Sequence, residues 1–342
     1  MRRNEIRKIF RIAAVAICTS SLAPRAQSGP PECRGEDIVE VSRQKGPQSY
    51  RDFVAATKTI LNSEGLLWRL SKTGVQESYL YGTMHVTDPK AVALARLTAP
   101  LISRSKVVVT ELGGAIAGGA SAALGLKIGF RALFSGGNEL AIIASAEDRR
   151  VVEDAVKNRG IDPAGANRFE PWMIIMLLAV HQCEMERQKD RLPVVDNVIV
   201  EMGKKRGKPL AALETIDEQL EVFSAMDRDL TAKILVKMAR SGERVNDQFV
   251  TMLSLYHHRT VGIALEATRL PLSQAERNED ADTDRRFMKR LIEDRNAVMA
   301  QRSLPILVKG GAFVAVGALH LVGETGLVEL YKKAGYRVEK VW

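Results

Sequence analysis

Apolar positions in this chain fall into two spacings. Short extended runs rich in β-branched and aromatic residues occur at 66–70 (LLWRL), 78–82 (SYLYG), 106–110 (KVVVT), 210–213 (LAAL), 312–317 (AFVAVG) and 336–341 (YRVEKV). Such runs, bounded by turn residues, predict strands. Between them the apolar residues recur at helical spacing. Helices are expected over 37–61, over 145–159 with Gly160 as the stop, over 172–187 opened by Pro171, and over 195–205. Others are expected over 220–239 with a polar break at Asp227-Arg228-Asp229, over 285–304, and from about Glu324 to Ala334. Asp88-Pro89 is a helix start, Asp as cap and Pro in the first turn, leading to Val92, Leu94, Leu97 and Leu101. The stretch 275–284 is polar and reads as exposed; 113–125, rich in Gly and Ala, reads as a flexible connection. It lacks both phosphate-loop spacings.

The order of these elements predicts a mixed α/β fold. Ser71-Lys72-Thr73-Gly74 should turn a hairpin over 66–83. The strand at 78, the helix after Asp88 and the strand at 106 read as a βαβ unit with a parallel pairing. The domain division expected is a leader at 1–26, a linker at 27–36, and one domain over 37–342 with a helical middle at about 115–300.

Two of the strands end in the same signal. Residues 82–85 are Gly-Thr-Met-His and residues 317–320 are Gly-Ala-Leu-His. The strand at 106 ends at Glu111 and the strand at 210 ends at Glu214. In open α/β sheets ligands bind beyond the C-terminal strand ends, so His85, Glu111, Glu214 and His320 can converge. Two imidazoles and a carboxylate suit a divalent transition metal. Gly82 and Gly317 would allow a tight turn and keep side chains out of the site. Glu111 reads as ligand, base or salt-bridge partner. Glu214 reads as a reserve acid or base, or as the anion at a helix start. Arg295 can clamp a carboxylate, orient Glu111, or be a solvated helix arginine. His257 and His258 are adjacent and point about 100° apart on a helix; they and His181 are poorer candidates.

Composition adds a compartment. The chain has 342 residues, 46% hydrophobic and 27% charged, which is globular usage. Of the net charge of +9, residues 1–26 carry +5, six basic residues against Glu5, leaving +4 spread over the rest. No aromatic-and-basic patch or nucleic-acid module stands out, so nucleic acid is not expected as a partner. Met1 to Lys8 is basic, Ile12 to Cys18 is a short apolar run, and small residues follow, the layout of a secretory signal cut near Ala23 or Ala26. The expected location is periplasmic or secreted, with an uncleaved leader touching the inner membrane as the alternative. Loss of Cys18 with the leader leaves Cys33 and Cys183, an even number in an oxidising compartment, which predicts a disulfide.

The segments LLWRL, YLYGTMHVTDP, VVVTEL, LET, DRN and FVAVGALHLVGETGLVELYKKAGYRVEKV resemble the TraB/GumN family, over nearly all of the chain from Cys33 to Val341. Related Tiki-type proteins are metal-dependent proteases. The resemblance implies His85, Glu111 and His320 as matching site residues, and Arg295 and Asn296 as the family's arginine-asparagine pair. Its relation to erythromycin-esterase-like and ChaN-like folds implies a mixed sheet surrounded by helices. The function expected is a metal-dependent hydrolase using a divalent ion (Mn, Co or Zn) on a peptide or polypeptide substrate. The rivals are a non-catalytic envelope protein binding a peptide or glycan, and a non-haem iron oxygenase, whose facial triad also takes two histidines and a carboxylate.

Overall fold

A computed structural model describes residues 31–114 and 139–342. The leader and most of the Gly/Ala-rich stretch lie outside the described residues. Six strands form one sheet: β1 (Leu67–Lys72), β2 (Val75–Thr83), β3 (Val107–Thr110), β4 (Leu210–Ala212), β5 (Ala312–Gly317) and β6 (Arg337–Lys340). Their order is β4-β3-β5-β2-β1-β6. β1 runs antiparallel to both β2 and β6, while β2, β5, β3 and β4 are mutually parallel. The fold is thus mixed α/β, as expected, and the 66–83 hairpin is present.

The expected pairing inside the βαβ unit needs correction. β2 and β3 are parallel but not neighbours, because β5 lies between them and pairs with both. The reason is burial. Ala312 to Val316 are apolar without alternation and all buried, so this strand fits only where both faces and both edges are covered. Phe313 and Ala315 face one core with Tyr81, Val108 and Ile199; Ala312, Val314 and Val316 face the other with Leu80, Val109, Leu307 and Tyr331.

The helices differ from expectation at their breaks. The segment 37–61 is two helices, Ile38–Lys45 and Pro47–Thr57, divided at Gly46. The segment 172–187 is also two, Pro171–Ala179 and Gln182–Lys189, with His181 capping the second by accepting from the Cys183 N–H. The polar stretch at 275–284 is helical. Ser273 and Glu276 form a capping box that starts Gln274–Met288, and ion pairs of Asp284 with Lys237 and Arg269 and of Arg286 with Asp227 tie the helix to the body. That helix runs through a π-helical turn, Lys289–Glu293, directly into Asp294–Leu307. Such turns accompany functional sites, and Arg295 follows this one. Asp88 caps Pro89–Arg96 through the N–H groups of Lys90 and Ala91, as the sequence indicated.

Cys33 and Cys183 form the expected disulfide, with Cα atoms 5.3 Å apart. A disulfide suits an extracytoplasmic compartment. Among the described residues no helix is long and apolar enough to cross a membrane.

Candidate functional site

The four parallel strands end on one side of the sheet. β2 delivers His85, β3 delivers Glu111, β4 delivers Glu214, and the short 3-10 turn Ala318–Leu321 after β5 delivers His320. Glu111, Glu214 and His320 are buried, at 5%, 5% and 2% exposure. Buried charges require partners, and each has them.

Arg295 joins the two carboxylates. Its Nε donates to Glu214 Oε1 at 2.8 Å, and one Nη donates to Glu214 Oε2 at 2.7 Å and to Glu111 Oε2 at 2.9 Å. Gln219 Nε2 donates to the same two oxygens, Glu111 Oε2 at 2.9 Å and Glu214 Oε2 at 3.1 Å. Both Glu214 oxygens are therefore engaged. The helix that follows Glu214 is capped not by Glu214 but by Thr215 and Glu218. Glu111 Oε1 accepts the Gly317 N–H at 2.7 Å and lies 3.9 Å from His320 Nε2. Burial alone would raise the Glu111 pKa; the charges of His85, His320 and Arg295 outweigh it and lower the group to about 2.

The tautomer of His320 follows from its neighbours. Asn296 Nδ2 donates to the Thr325 carbonyl at 2.9 Å, so Asn296 Oδ1 is the atom facing His320 Nδ1 at 2.7 Å. A carbonyl oxygen only accepts, so Nδ1 carries the proton and Nε2 presents its lone pair toward Glu111. Burial pushes this ring down to about 4, against the attraction of Glu111.

His85 is held in the same way by a different group. Its Nδ1 lies 2.8 Å from Asp196 Oδ2, and Asp196 Oδ1 accepts from the Thr83 hydroxyl at 2.7 Å. Asp196 stands in the first turn of helix Val195–Lys205, where an anion is favoured. The His85 ring is 63% exposed, and the Asp196 carboxylate holds its pKa above the ordinary histidine range. Its loop is tied down on both sides. Val86 O accepts from Val195 N at 3.0 Å, and Glu184 Oε2 accepts from both the N–H and the hydroxyl of Thr87 at 2.8 Å.

The two motif glycines act by space rather than by a left-handed turn. Gly317 has φ −50°, within reach of any residue, but a Cβ there would lie 3.3 Å from Glu111 Oε1. A Cβ on Gly82 would lie 2.9 Å from Ala318 Cα, where β2 meets the turn after β5.

His257 binds Asp88 at 2.8 Å and His258 accompanies Ser254. Among the described residues, the three whose candidate ligand atoms all lie within 4.8 Å of one another are Cys33, His181 and Cys183, whose two sulfurs are bonded to each other; His320 and Glu111 come together, but His85 does not complete such a group with them. Asp196 and Gln219 escaped the sequence reading. An acidic residue in a helix first turn is common, and only the packing of that helix beside β2 brings Asp196 to His85. Gln219 lies five residues past Glu214, in the helix Ile216–Ser224 that follows that strand end.

A Metalloprotease TIKI homolog of Nematostella vectensis is 27% identical over 189 residues, 50% of this chain and 40% of the relative. Another, from Amphimedon queenslandica, is 23% identical over 192 residues, 51% of this chain and 38% of the relative. The match thus spans about two fifths of the length of these relatives. No solved structure matches the chain. The TraB/PrgY/gumN family model matches residues 66–340, from the start of β1 to the end of β6, and takes in both Gly-x-x-His motifs, both glutamates and Arg295. The chain is a member of the TraB/PrgY/gumN family.

Proposed function

We propose that this chain is a metal-dependent hydrolase, acting on peptide bonds outside the cytoplasm, in which His85, His320 and Glu111 hold a divalent ion. The observation that carries the reading is the facing pair at the end of β5 and β3. His320 Nε2 and Glu111 Oε1 stand 3.9 Å apart as two lone-pair donors, with the only ring proton committed to Asn296. That separation fits two ligands each about 2.0–2.2 Å from one ion. His85, with Nδ1 committed to Asp196, offers Nε2 once that nitrogen has given up its proton. Carboxylate or amide partners behind ligand imidazoles are the usual support for a metal site. The name shared by both relatives adds to this reading.

A bound divalent ion would supply Lewis acidity, polarising a carbonyl and acidifying water. The protein's own groups set the rest. Arg295 and Gln219 fix Glu111 through Oε2 and leave Oε1 as its working atom. A carboxyl held near pKa 2 is a weak base, so the donor role suits Glu111 better than the base role. Glu214 keeps Arg295 in place. The open His85 ring leaves one side of the site accessible to a chain-like substrate, while His320 closes the other.

Metal analysis of the purified protein, followed by a peptide-library cleavage screen with Mn, Co and Zn, tests the reading. About one ion per chain is expected, lost in both His85→Ala and His320→Ala, together with cleavage. Retention of the ion by both variants would refute the shared site. Oxygen consumption with Fe(II) and no hydrolysis would replace the hydrolase with an oxygenase.

A further inference from the structure

We propose that Cys33, His181 and Cys183 form a second metal site, one for a thiophilic cation of the zinc type, closed while the disulfide stands and opened by its reduction. The candidate ligand atoms of the three residues all lie within 4.8 Å of one another. The imidazole already holds the matching tautomer. His181 Nδ1 accepts the Cys183 N–H at 3.1 Å, so it carries the lone pair, and it lies 2.8 Å from Cys183 Sγ. The ring proton is therefore on Nε2, which donates to Asn246 Oδ1 at 2.7 Å. A ligand histidine whose far nitrogen is hydrogen-bonded is the supported form. The ring is buried and stacks on Phe249, with centroids 4.6 Å apart.

The two sulfurs can separate without leaving the site. Cys183 is buried in the first turn of its helix, while Cys33 is half-buried in a segment without regular structure. That segment is docked independently of the bond. The Glu36 N–H donates to Asp247 Oδ1 at 2.8 Å, and the Ile38 N–H to the Thr251 hydroxyl at 2.8 Å. Gly35 lies so close to Asn246 that a Cβ would meet its carbonyl oxygen at 2.5 Å. After the bond opens, Cys33 thus remains beside His181.

The chemistry balances with an external dithiol. Two electrons and two protons from the dithiol break the Sγ–Sγ bond and leave two thiols, and the dithiol closes to its own disulfide. Metal binding then takes both sulfurs as thiolates, sends two protons to solvent, and moves the single Nδ1 lone pair of His181 from the Cys183 N–H to the ion. Two thiolates and one imidazole match the softer N/S donor sets. The residues are separate from the His85, Glu111 and His320 group, so the inference does not rest on the proposed hydrolase.

The test uses the full chain carrying Cys18→Ser, reduced by a phosphine and exchanged anaerobically into reductant-free buffer, then titrated with Co(II). Reduced protein should show a thiolate-to-cobalt charge-transfer band, saturating at about one equivalent and displaced by Zn(II). Oxidised protein should show none. Cobalt held by His85, Glu111 and His320 has no sulfur ligand and gives no such band, so the two sites are read separately. His181→Ala should weaken cobalt at least about tenfold, and Asn246→Ala by about 10–100-fold. No band in reduced protein, an unchanged affinity in His181→Ala, or loss of the near-UV circular dichroism on reduction each overturns the proposal.

Discussion

His85 and His320 end the same four-residue signal in opposite surroundings. His85 follows β2 on an open loop, with its ring 63% exposed and its Nδ1 on the carboxylate of Asp196. His320 follows β5 in a 3-10 turn, with its side chain 3% exposed and its Nδ1 on the amide of Asn296. The charged partner raises the first ring's pKa, and burial lowers the second's. At neutral pH and without metal, one arm is cationic and the other neutral. The pattern Gly-x-x-His therefore specifies a position at a strand end, while the charge state comes from what packs behind it. Both partners do leave the same atom free, Nε2.

The largest expected break falls on the buried arm. Arg295 is the cation between Glu111 and Glu214, with its side chain 14% exposed. Arg295→Ala should cost about 3–5 kcal/mol, because it leaves two buried carboxylates uncompensated. Urea denaturation measures this, and a loss below about 1 kcal/mol would put Arg295 in the class of surface pairs. Arg295→Lys should recover only part, since a lysine cannot bridge both carboxylates with a planar fork.

The pH dependence of stability separates the arms next. In metal-free protein His320 titrates at about 4, against about 6.5 when unfolded. The unfolded chain binds the extra proton between these values, so stability falls as pH drops from about 6.5 to about 4, by roughly 3 kcal/mol at most. Glu111, lowered to about 2, contributes stability that is lost only below the unfolded carboxyl value, about 4.3. The window above that is shared by His320 and by His181, whose pKa burial also lowers, and His320→Gln should make its slope shallower without removing it. His85 has the opposite sign. Its raised pKa contributes stability present below about pH 6.5 and lost as pH rises through the folded value. Its exposure screens the Asp196 attraction, so that effect is smaller than the His320 effect and salt-sensitive. Thermal denaturation of wild type and His320→Gln from pH 4 to 7 distinguishes these slopes, and equal slopes would remove the distinction.

The two glycines give a smaller contrast. Gly82→Ala sets a Cβ 2.9 Å from the Cα of Ala318, a backbone atom that cannot yield, and should cost about 1–3 kcal/mol. Gly317→Ala meets Glu111 Oε1 at 3.3 Å and His320 Cδ2 at 3.4 Å. Its effect should fall on metal affinity, about tenfold or more, with less change in stability. The reverse pattern would mean that Gly317 is structural and Gly82 is not.

Much of this site is legible in the sequence because it lies at strand ends. Tyr79 to Tyr81, Val107 to Val109 and Ala312 to Val316 read as strands on composition alone, and the residue beyond each end is fixed by counting. What sequence does not carry is lateral order. Nothing local to β2 or β3 says that β5 enters between them; that follows from the burial of β5 on both faces. Asp196 is invisible for the same reason, since its role depends on helix Val195–Lys205 packing beside β2, over a hundred residues away in the chain. The break before His181 was hidden because Trp172 to Leu178 and Cys183 to Arg187 both favour burial, and a single helix could hold either. The capping box at Ser273 and Glu276 is readable as a helix start, whereas the ion pairs of Asp284 and Arg286 that hold the polar helix after it are not.

The smallest expected effect tests the contrast most directly. A ligand imidazole must be neutral at the atom it offers. His320 meets that condition at pH 7, because burial has already expelled its second proton. His85 does not, because Asp196 favours the protonated ring. Metal uptake at neutral pH should therefore release about one proton, all of it from the His85 arm. Asp196→Asn replaces the carboxylate with an amide whose Oδ1 can still accept from Nδ1, which turns the first arm into a copy of the second. Proton release should then shrink toward zero. Metal affinity should change by about tenfold or less, because a weaker hold on the ring is offset by the absence of a proton to displace. Calorimetric titration with Zn(II) in buffers of different ionisation enthalpy reads the proton count directly. Equal release from wild type and Asp196→Asn would mean that Asp196 orients the His85 ring without setting its charge.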